Sequence, residues 1–135
     1  MHCDFYNLPD ITIIGGDTFP ICFDLFRDSR HSIPFEMGEN FVAYFSLVEF
    51  INREYASPLY SFSSIDPSPR VFITNDADGK INNVEVKFKA ADTASLYGKY
   101  IYQITLKDNN LNKIEVIGQG TMTIVRNIDP NLILK

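Results

Sequence analysis

Apolar and polar residues alternate along much of the chain, a period-two pattern that predicts β-strands. In the segment 83–89, the apolar residues Val84, Val86 and Phe88 alternate with charged residues. The same alternation predicts strands in 18–27 and 99–106, with inward sets Phe19, Ile21, Phe23, Leu25 and Tyr100, Tyr102, Ile104, Leu106. Further strands are predicted at 11–14, 71–74 and 114–125. About seven or eight short strands at this spacing are typical of an all-β sandwich or barrel.

The segment 41–50 is apolar on both faces, so periodicity alone does not separate a central strand from a buried helix. We interpret it as a strand because its neighbours are strands. One face carries Phe41, Ala43, Phe45 and Leu47, and the other carries Val42, Tyr44, Val48 and Phe50. The second face needs a covering loop or a partner protein, so those four residues form a possible interface.

Glycine and proline divide the strands. Gly15-Gly16-Asp17 predicts a turn, and Pro20 places the following strand at a sheet edge or a bulge because proline lacks an amide donor. Gly118 and Gly120 predict a bulge or a close approach of another group. The proline-containing stretch 52–69 is predicted to be a long loop with a short strand near Tyr60 to Phe62.

The length of 135 residues fits one domain, which we divide into an arm at 1–10, a sandwich at 11–128 and a tail at 129–135. The net charge of −5, without a basic stripe, argues against nucleic acids and anionic membranes as partners. The N-terminal sequence lacks the pattern of a signal peptide, and no apolar run is long enough for a spanning helix. We therefore expect synthesis in the cytoplasm.

The segment 92–102 is the most informative stretch for the fold. An Asp92-Thr93 pair is expected to cap one helical turn, with Leu96 filling the core beneath it. Gly98 then permits a sharp reversal into the next strand. Tyr100 begins that strand and is placed to return its hydroxyl to the corner backbone, the tyrosine corner of immunoglobulin-like sandwiches. The sequence thus predicts an all-β, immunoglobulin-like β-sandwich of antiparallel strands, without the Cys–Trp–Cys signature of antibody domains.

Ile13-Ile14-Gly15-Gly16-Asp17-Thr18-Phe19 resembles the opening of small phage tail proteins that carry the immunoglobulin-like N-terminal domain of baseplate upper proteins. The order of later motifs is similar to that family over roughly residues 11–128. Those motifs are Asp28, Ile33-Pro34, Gly79-Lys80-Ile81, Asp92-Thr93, Gly98-Lys99-Tyr100-Ile101-Tyr102 and Gly120-Thr121-Met122-Thr123-Ile124.

The resemblance implies a structural protein of a phage or prophage tail or baseplate, located in the virion. Its expected partners are other tail or baseplate proteins and further copies of the chain. One departure is that baseplate upper proteins continue into a long C-terminal part that joins receptor-binding modules, and this sequence has no counterpart to it.

No cofactor or metal is predicted. Asp76, Asp78, Gly79 and Glu85 match part of a calcium loop, but their flanks alternate as strands and a hairpin turn explains them better. Gly15-Gly16-Asp17 lacks the following helix of a phosphate-binding loop. Cys3 and Cys22 fit no metal or redox spacing; we expect two free thiols, with a disulfide between them as the alternative.

An enzyme is not favoured, because His2 and His31 stand in no catalytic motif and nothing selects a pair among the 17 acidic residues. The remaining alternative is a carbohydrate-binding or adhesion module on the same sandwich. It requires exposed aromatic rings along a groove, and Tyr55 and Tyr60 are the candidates. The leading hypothesis is a non-enzymatic tail or baseplate component that acts by burying apolar strand faces and pairing strand edges between copies.

Overall fold

A computed structural model describes residues 8–25, 40–51, 57–74 and 83–129, and every structural statement refers to these residues. They form eight strands and one helical turn. The elements are β1 (Ile11–Ile14), β2 (Ile21–Asp24), β3 (Phe41–Glu49), β4 (Tyr60–Ser63), β5 (Val71–Thr74), β6 (Asn83–Val86), α1 (Ala90–Thr93), β7 (Gly98–Asp108) and β8 (Lys113–Val125). The strands predicted at 41–50 and 71–74 are thereby confirmed, and the strand predicted at 83–89 is confirmed over Asn83–Val86, where it ends.

The strands form a five-stranded sheet in the order β1-β8-β7-β3-β4 and a three-stranded sheet in the order β2-β6-β5. In immunoglobulin nomenclature the smaller sheet corresponds to strands B, E and D, and the larger sheet contains the G, F, C and C′ strands. The protein is an immunoglobulin-like β-sandwich, as predicted.

Not every strand pair is antiparallel, and here the prediction was wrong. β1 pairs with β8 in parallel, with Ile11 opposite Met122 and Ile14 opposite Val125. A two-residue hairpin forces antiparallel pairing, whereas β1 and β8 are separated by almost the whole chain, so no hairpin sets their relative direction. The alternation of side chains does not encode strand direction.

The core lies between the sheets and is filled by the predicted inward residues of β6 and β7. Phe23 of β2 and Tyr102 of β7 approach to 5.5 Å between ring centroids, and Phe45 of β3 stacks on Tyr102 at 5.7 Å. Strands B, C and F carry the disulfide and tryptophan in antibody domains. Three aromatic rings therefore occupy the centre of this sandwich, where antibody domains have Cys–Trp–Cys.

Both glycine predictions in β8 are confirmed. The β7–β8 register shifts between Ile104 and Thr105, which leaves one extra β8 residue next to Gly118. At Gly120, an added Cβ would lie 2.6 Å from Cζ and the hydroxyl oxygen of the buried Tyr102. The ring of Tyr102 thus occupies the space that any larger residue at position 120 needs.

Near the N-terminal end of β2 and in the predicted arm, the structure differs from the sequence prediction. Strand β2 begins at Ile21 and is an edge strand, as Pro20 predicts. Phe19 is 79% exposed, contrary to its assignment to the inward face. Its amide bonds the Asp17 carboxylate at 2.8 Å, so Phe19 belongs to the turn and not to the ladder. In the predicted arm, Leu8 is buried and its amide donates to the Gln119 carbonyl.

Candidate functional site

The end of the sandwich at α1, here called the corner cluster, gathers Arg70, Asp92, Thr93, Tyr100 and Gly15. Arg70 donates to both carboxylate oxygens of Asp92, from Nε at 3.0 Å and from Nη2 at 2.9 Å. The backbone amide of Lys89 adds a third hydrogen bond to that carboxylate at 2.8 Å. The bidentate geometry makes this a strong, charge-assisted ion pair.

Burial raises the pKa of Asp92, but the Arg70 hydrogen bonds, the Lys89 amide and the positive charges nearby outweigh it. The net effect is a pKa below the ordinary range of an aspartate. Asp92 therefore stays ionised well into acid, and its lone pairs are used for structure. That is the opposite of what a general acid near neutral pH requires.

Asp92 does not cap the helical turn in the expected way. Lys89 is the N-cap residue of α1, and Asp92 lies three residues into the turn and bonds back to the Lys89 amide. This is the carboxylate half of a capping box. Thr93 instead accepts a hydrogen bond from the amide of Gly16 at 2.8 Å, a contact across 77 residues of sequence.

The Gly15-Gly16 turn and the corner are therefore one unit. A Cβ on Gly15 would lie 2.6 Å from the Thr93 carbonyl oxygen, and Gly16 has a φ of 89°. The Gly15 carbonyl accepts from the Asn127 side chain at 2.7 Å. Two motifs that are separate in the sequence thus meet in space, where their hydrogen bonds connect the turn after β1 to the corner.

The other corner residues lie where the tyrosine-corner pattern places them. Gly98 has a φ of 112°, and the Tyr100 hydroxyl donates to the Tyr97 carbonyl at 3.1 Å. Leu96 is half-buried and packs against the core. Burial raises the pKa of Tyr100, so this phenol is a poor proton donor at neutral pH. The corner cluster is a structural device.

A depression of about 500 Å³ lies beside the corner cluster, with Glu49, Ile51, Ser95, Tyr97 and Lys99 in its lining. Ile51 and Tyr97 are exposed, and the Lys99 ammonium lies 4.3 Å from the centroid of the Phe50 ring. Among the described residues of the lining, Glu49 is the one carboxylate.

The outer face of the five-stranded sheet is the second surface of interest. It is built from the outward residues of β3, β7 and β8, which the strand register sets opposite one another: Tyr44, Ser46, Val48, Ile101, Gln103, Thr105, Gln119 and Thr121. A shallow groove of about 230 Å³ runs over this outer face beside Val48, Ile101 and Pro58. Gln119 donates to Gln103 across it at 2.8 Å. These central residues carry no charge, and Lys99 and Lys107, which alternate with them along β7, lie on the same face toward its two ends.

The predicted interface residues are only partly available to a partner. Val42 is 4% exposed and offers almost no surface. Tyr44, Val48 and Phe50 are half-buried. The predicted interface did not include Ile101, which lies beside Val48 in the pairing of β7 with β3. Its signal was present, since Ile101 is an apolar residue at a position that alternation assigns to the outside.

The third surface of interest lies near the turn of the β7–β8 hairpin. Leu111 at its turn and Ile114 and Val116 on β8 are 64%, 67% and 45% exposed. Lys113 and Glu115 between them are also exposed. Apolar side chains so open to water, on one short stretch, are typical of a contact surface.

Several predicted sites lie outside the described residues. They are the calcium-like positions Asp76, Asp78 and Gly79, both histidines, Cys3 and Tyr55. Among the described residues, no group of three metal-ligating side chains is present, and no helix is long and apolar enough to cross a membrane. Cys22 is exposed as a free thiol; partial burial and the nearby Glu85 and Asp24 raise its pKa, which disfavours the reactive thiolate.

Tyr60, a candidate sugar-stacking residue, is used inside the protein. Its hydroxyl donates to the Asp92 carbonyl, and its ring stacks on Phe62 at 4.9 Å between centroids. Burial raises its pKa. The ring therefore has one face occupied and its polar end bonded, which leaves little for a ligand.

Comparison with known proteins gives a fold-level likeness. No protein-family model matches the chain, and no curated protein matches it. The NK cell receptor NKp44, described as a triggering partner in natural cytotoxicity, is 14% identical over 86% of this chain and 96% of its own, with a TM-score of 0.42. Murine CRIg is 6% identical over 87% of this chain and 92% of its own, with a TM-score of 0.33. At this similarity nothing about function transfers, and the fold assignment stands on the sheet order.

Proposed function

We propose that this chain is a non-enzymatic structural component of a phage or prophage tail or baseplate, which acts through protein–protein assembly. It would be made in the bacterial cytoplasm and incorporated into the virion. The observation that carries the proposal is the charge-free central patch of the outer face of the five-stranded sheet, between Lys99 and Lys107. This patch presents Tyr44, Val48 and Ile101 as half-buried residues, and Val48 and Ile101 line a shallow groove.

The polar groups of the structure support this choice. The motifs behind the family resemblance, Gly15-Gly16, Asp92-Thr93 and Gly98-x-Tyr100, are engaged in hydrogen bonds of the corner cluster. These residues stabilise the sandwich through hydrogen bonds, and a structural component of an assembly requires a stable fold. The charge-free central patch of the outer face is similar in composition to the central part of many protein–protein interfaces, from which charges are depleted.

The carbohydrate-binding alternative loses Tyr60, whose ring and hydroxyl are both engaged. Phe19 and Tyr97 are the strongly exposed aromatic residues of the described chain, and Tyr97 stands beside the apolar Ile51 in the depression near the corner. A single ring of this kind does not make a platform of successive stacking residues. We therefore do not advance this function.

The test is the protein content of the particles made by the phage or induced prophage that encodes the chain. After gradient purification, we expect mass spectrometry to find the chain at a fixed ratio to the major tail proteins, with an abundant host cytoplasmic protein as the carry-over control. Complete, infective particles that lack the chain would overturn the proposal.

A further inference from the structure

In the described part of the chain, the edge of β8 that faces away from β7 is paired over only part of its length. Its last four residues, Met122 to Val125, pair with β1, and the Gln119 carbonyl accepts from the Leu8 amide. Beyond that point the described residues supply no strand to the stretch Lys113–Ile117, here called the free edge. The free edge presents alternate amide and carbonyl groups without a ladder on that side.

This stretch differs from the other sheet edges of the protein. Strands β1, β2, β4 and β5, which end the two sheets, are each four residues long. Short edges are a common protection against unwanted pairing. The free edge instead carries two exposed β-branched residues, Ile114 and Val116, that favour an extended strand partner.

We propose that the free edge pairs antiparallel with the same stretch of a second copy of this chain, with a two-fold axis at Ile114. This inference rests on the proposed function, for which it names the self-association surface. The product is a symmetric dimer in which the two five-stranded sheets continue into one another.

Charge complementarity selects the partner and the register. Antiparallel pairing centred on Ile114 sets Lys113 of each copy opposite Glu115 of the other, and sets the two Ile114 side chains side by side. Opposite charges and β-branched pairs stabilise directly opposed positions, whereas a register centred on Glu115 would oppose two carboxylates. The sequence Lys-Ile-Glu is thus complementary to itself only in the first register.

The interface formed by five residues from each copy is small. We expect reversible association with a dissociation constant on the order of ten micromolar, at the weak end of specific interfaces. Nearly all copies would be dimeric in an assembly where other contacts raise the effective concentration of one chain near another.

The experiment is sedimentation equilibrium of the full chain over a wide concentration range, with a reducing agent present because Cys22 is exposed. Lys113→Glu and Glu115→Lys each create two like-charge contacts in the dimer. Each is expected to weaken association by about tenfold or more. The double variant, Lys113→Glu with Glu115→Lys, restores both opposite-charge contacts and should regain dimerisation. Lys87→Glu, a charge reversal beside the other sheet, is the matched control and should leave the dimer unchanged.

Three outcomes would overturn the inference. The chain could stay monomeric at every concentration, or the dimer could resist both single reversals, which would place the contact elsewhere. A dimer that forms only after residues 1–7 are removed would assign the free edge to the N-terminal segment. In each case, finding the chain in purified phage particles would still support the proposed function. A failure of the dimer model is therefore distinguishable from a failure of the proposed function.

Discussion

At the scale of single residues, the ion pair between Arg70 and Asp92 connects the segment before β5 to α1 at one end of the sandwich. The side chain of Asp92 is 8% exposed and that of Arg70 is 23% exposed, so water screens their attraction only partly. The pair also orients α1, because the same carboxylate holds the Lys89 amide. A buried carboxylate with three donors is costly to alter, since each donor would lose its acceptor.

Asp92→Asn is expected to lower the free energy of unfolding by about 2 kcal/mol, because Arg70 then keeps its charge without a counter-charge. Urea unfolding followed by circular dichroism measures this. The control is Lys87→Gln, which removes an exposed pair with Glu85 at 3.3 Å. Its expected effect is below about 0.5 kcal/mol. Equal losses in the two variants would contradict the assignment.

The pH dependence follows from the lowered pKa of Asp92. A carboxylate whose folded pKa lies below its unfolded value stabilises the fold above the unfolded pKa, about 4, and loses that contribution as the pH falls through the folded pKa. We therefore expect the stability difference between the wild type and Asp92→Asn to be constant from pH 7 to about 5 and to shrink in more acidic solution. Urea midpoints at successive pH values test this. A difference that grows on acidification would show the opposite sign.

At the scale of elements, β7 and β8 form the longest hairpin, and its packing depends on a missing side chain. Gly120 lies opposite Tyr102 in the ladder, and the tyrosine ring lies over the glycine. The ring is fully buried and its hydroxyl donates to the Pro9 carbonyl. Tyr102 therefore has little freedom to move away from a larger neighbour.

Gly120→Ala is expected to destabilise the protein by about 2 kcal/mol through overpacking against Tyr102. Replacing the Tyr102 ring by a smaller side chain in the same protein should reduce the loss of unfolding free energy that Gly120→Ala causes. The loss in the double variant Gly120→Ala with Tyr102→Leu should thus be smaller than the sum of the two single losses, as a double-mutant cycle in urea measures. Strict additivity would mean that the ring and the glycine do not interact.

At the scale of the whole molecule, we propose different contacts for two surfaces. The outer face of the five-stranded sheet is suited to other proteins, and the free edge of β8 is suited to a second copy. The faces that meet between the sheets are already filled by the aromatic cluster of Phe23, Phe45 and Tyr102. The proposed contacts therefore leave the core unchanged and involve the outer face and the free edge of one sheet.

Val48→Asp places a charge on the outer face beside the groove. Charges are depleted in interface cores because an unpaired charge loses its hydration there. We expect the variant to fold, judged by an unchanged circular dichroism spectrum, and to be absent from purified particles of the phage that encodes it. Asp17→Asn, a change in an exposed turn, serves as the control. Normal incorporation of Val48→Asp would exclude this region of the face as the contact.

Much of this fold can be predicted from the sequence because local rules determine it. Alternation identified β6 and β7 and their inward residues, since period two assigns side chains to faces whatever the partner strand is. Pro20 marked an edge strand because it lacks an amide donor. Gly118 marked the bulge, since glycine inside a strand is often found at one, and Gly120 marked the close approach, because the Tyr102 ring leaves no space for a side chain there.

The remaining features depend on the tertiary structure because they join residues that are distant in the chain. The parallel pairing of β1 with β8, the contact of Gly16 with Thr93 and the pairing of Arg70 with Asp92 leave no periodic trace in the sequence. Each joins segments that only the folded chain brings together. Exposure also depends on that closure: Val42 is buried, while Ile101 lies beside the groove of the outer face. The sequence by itself therefore determined the strands and the sandwich class, and the tertiary structure decided which apolar residues remain for a partner.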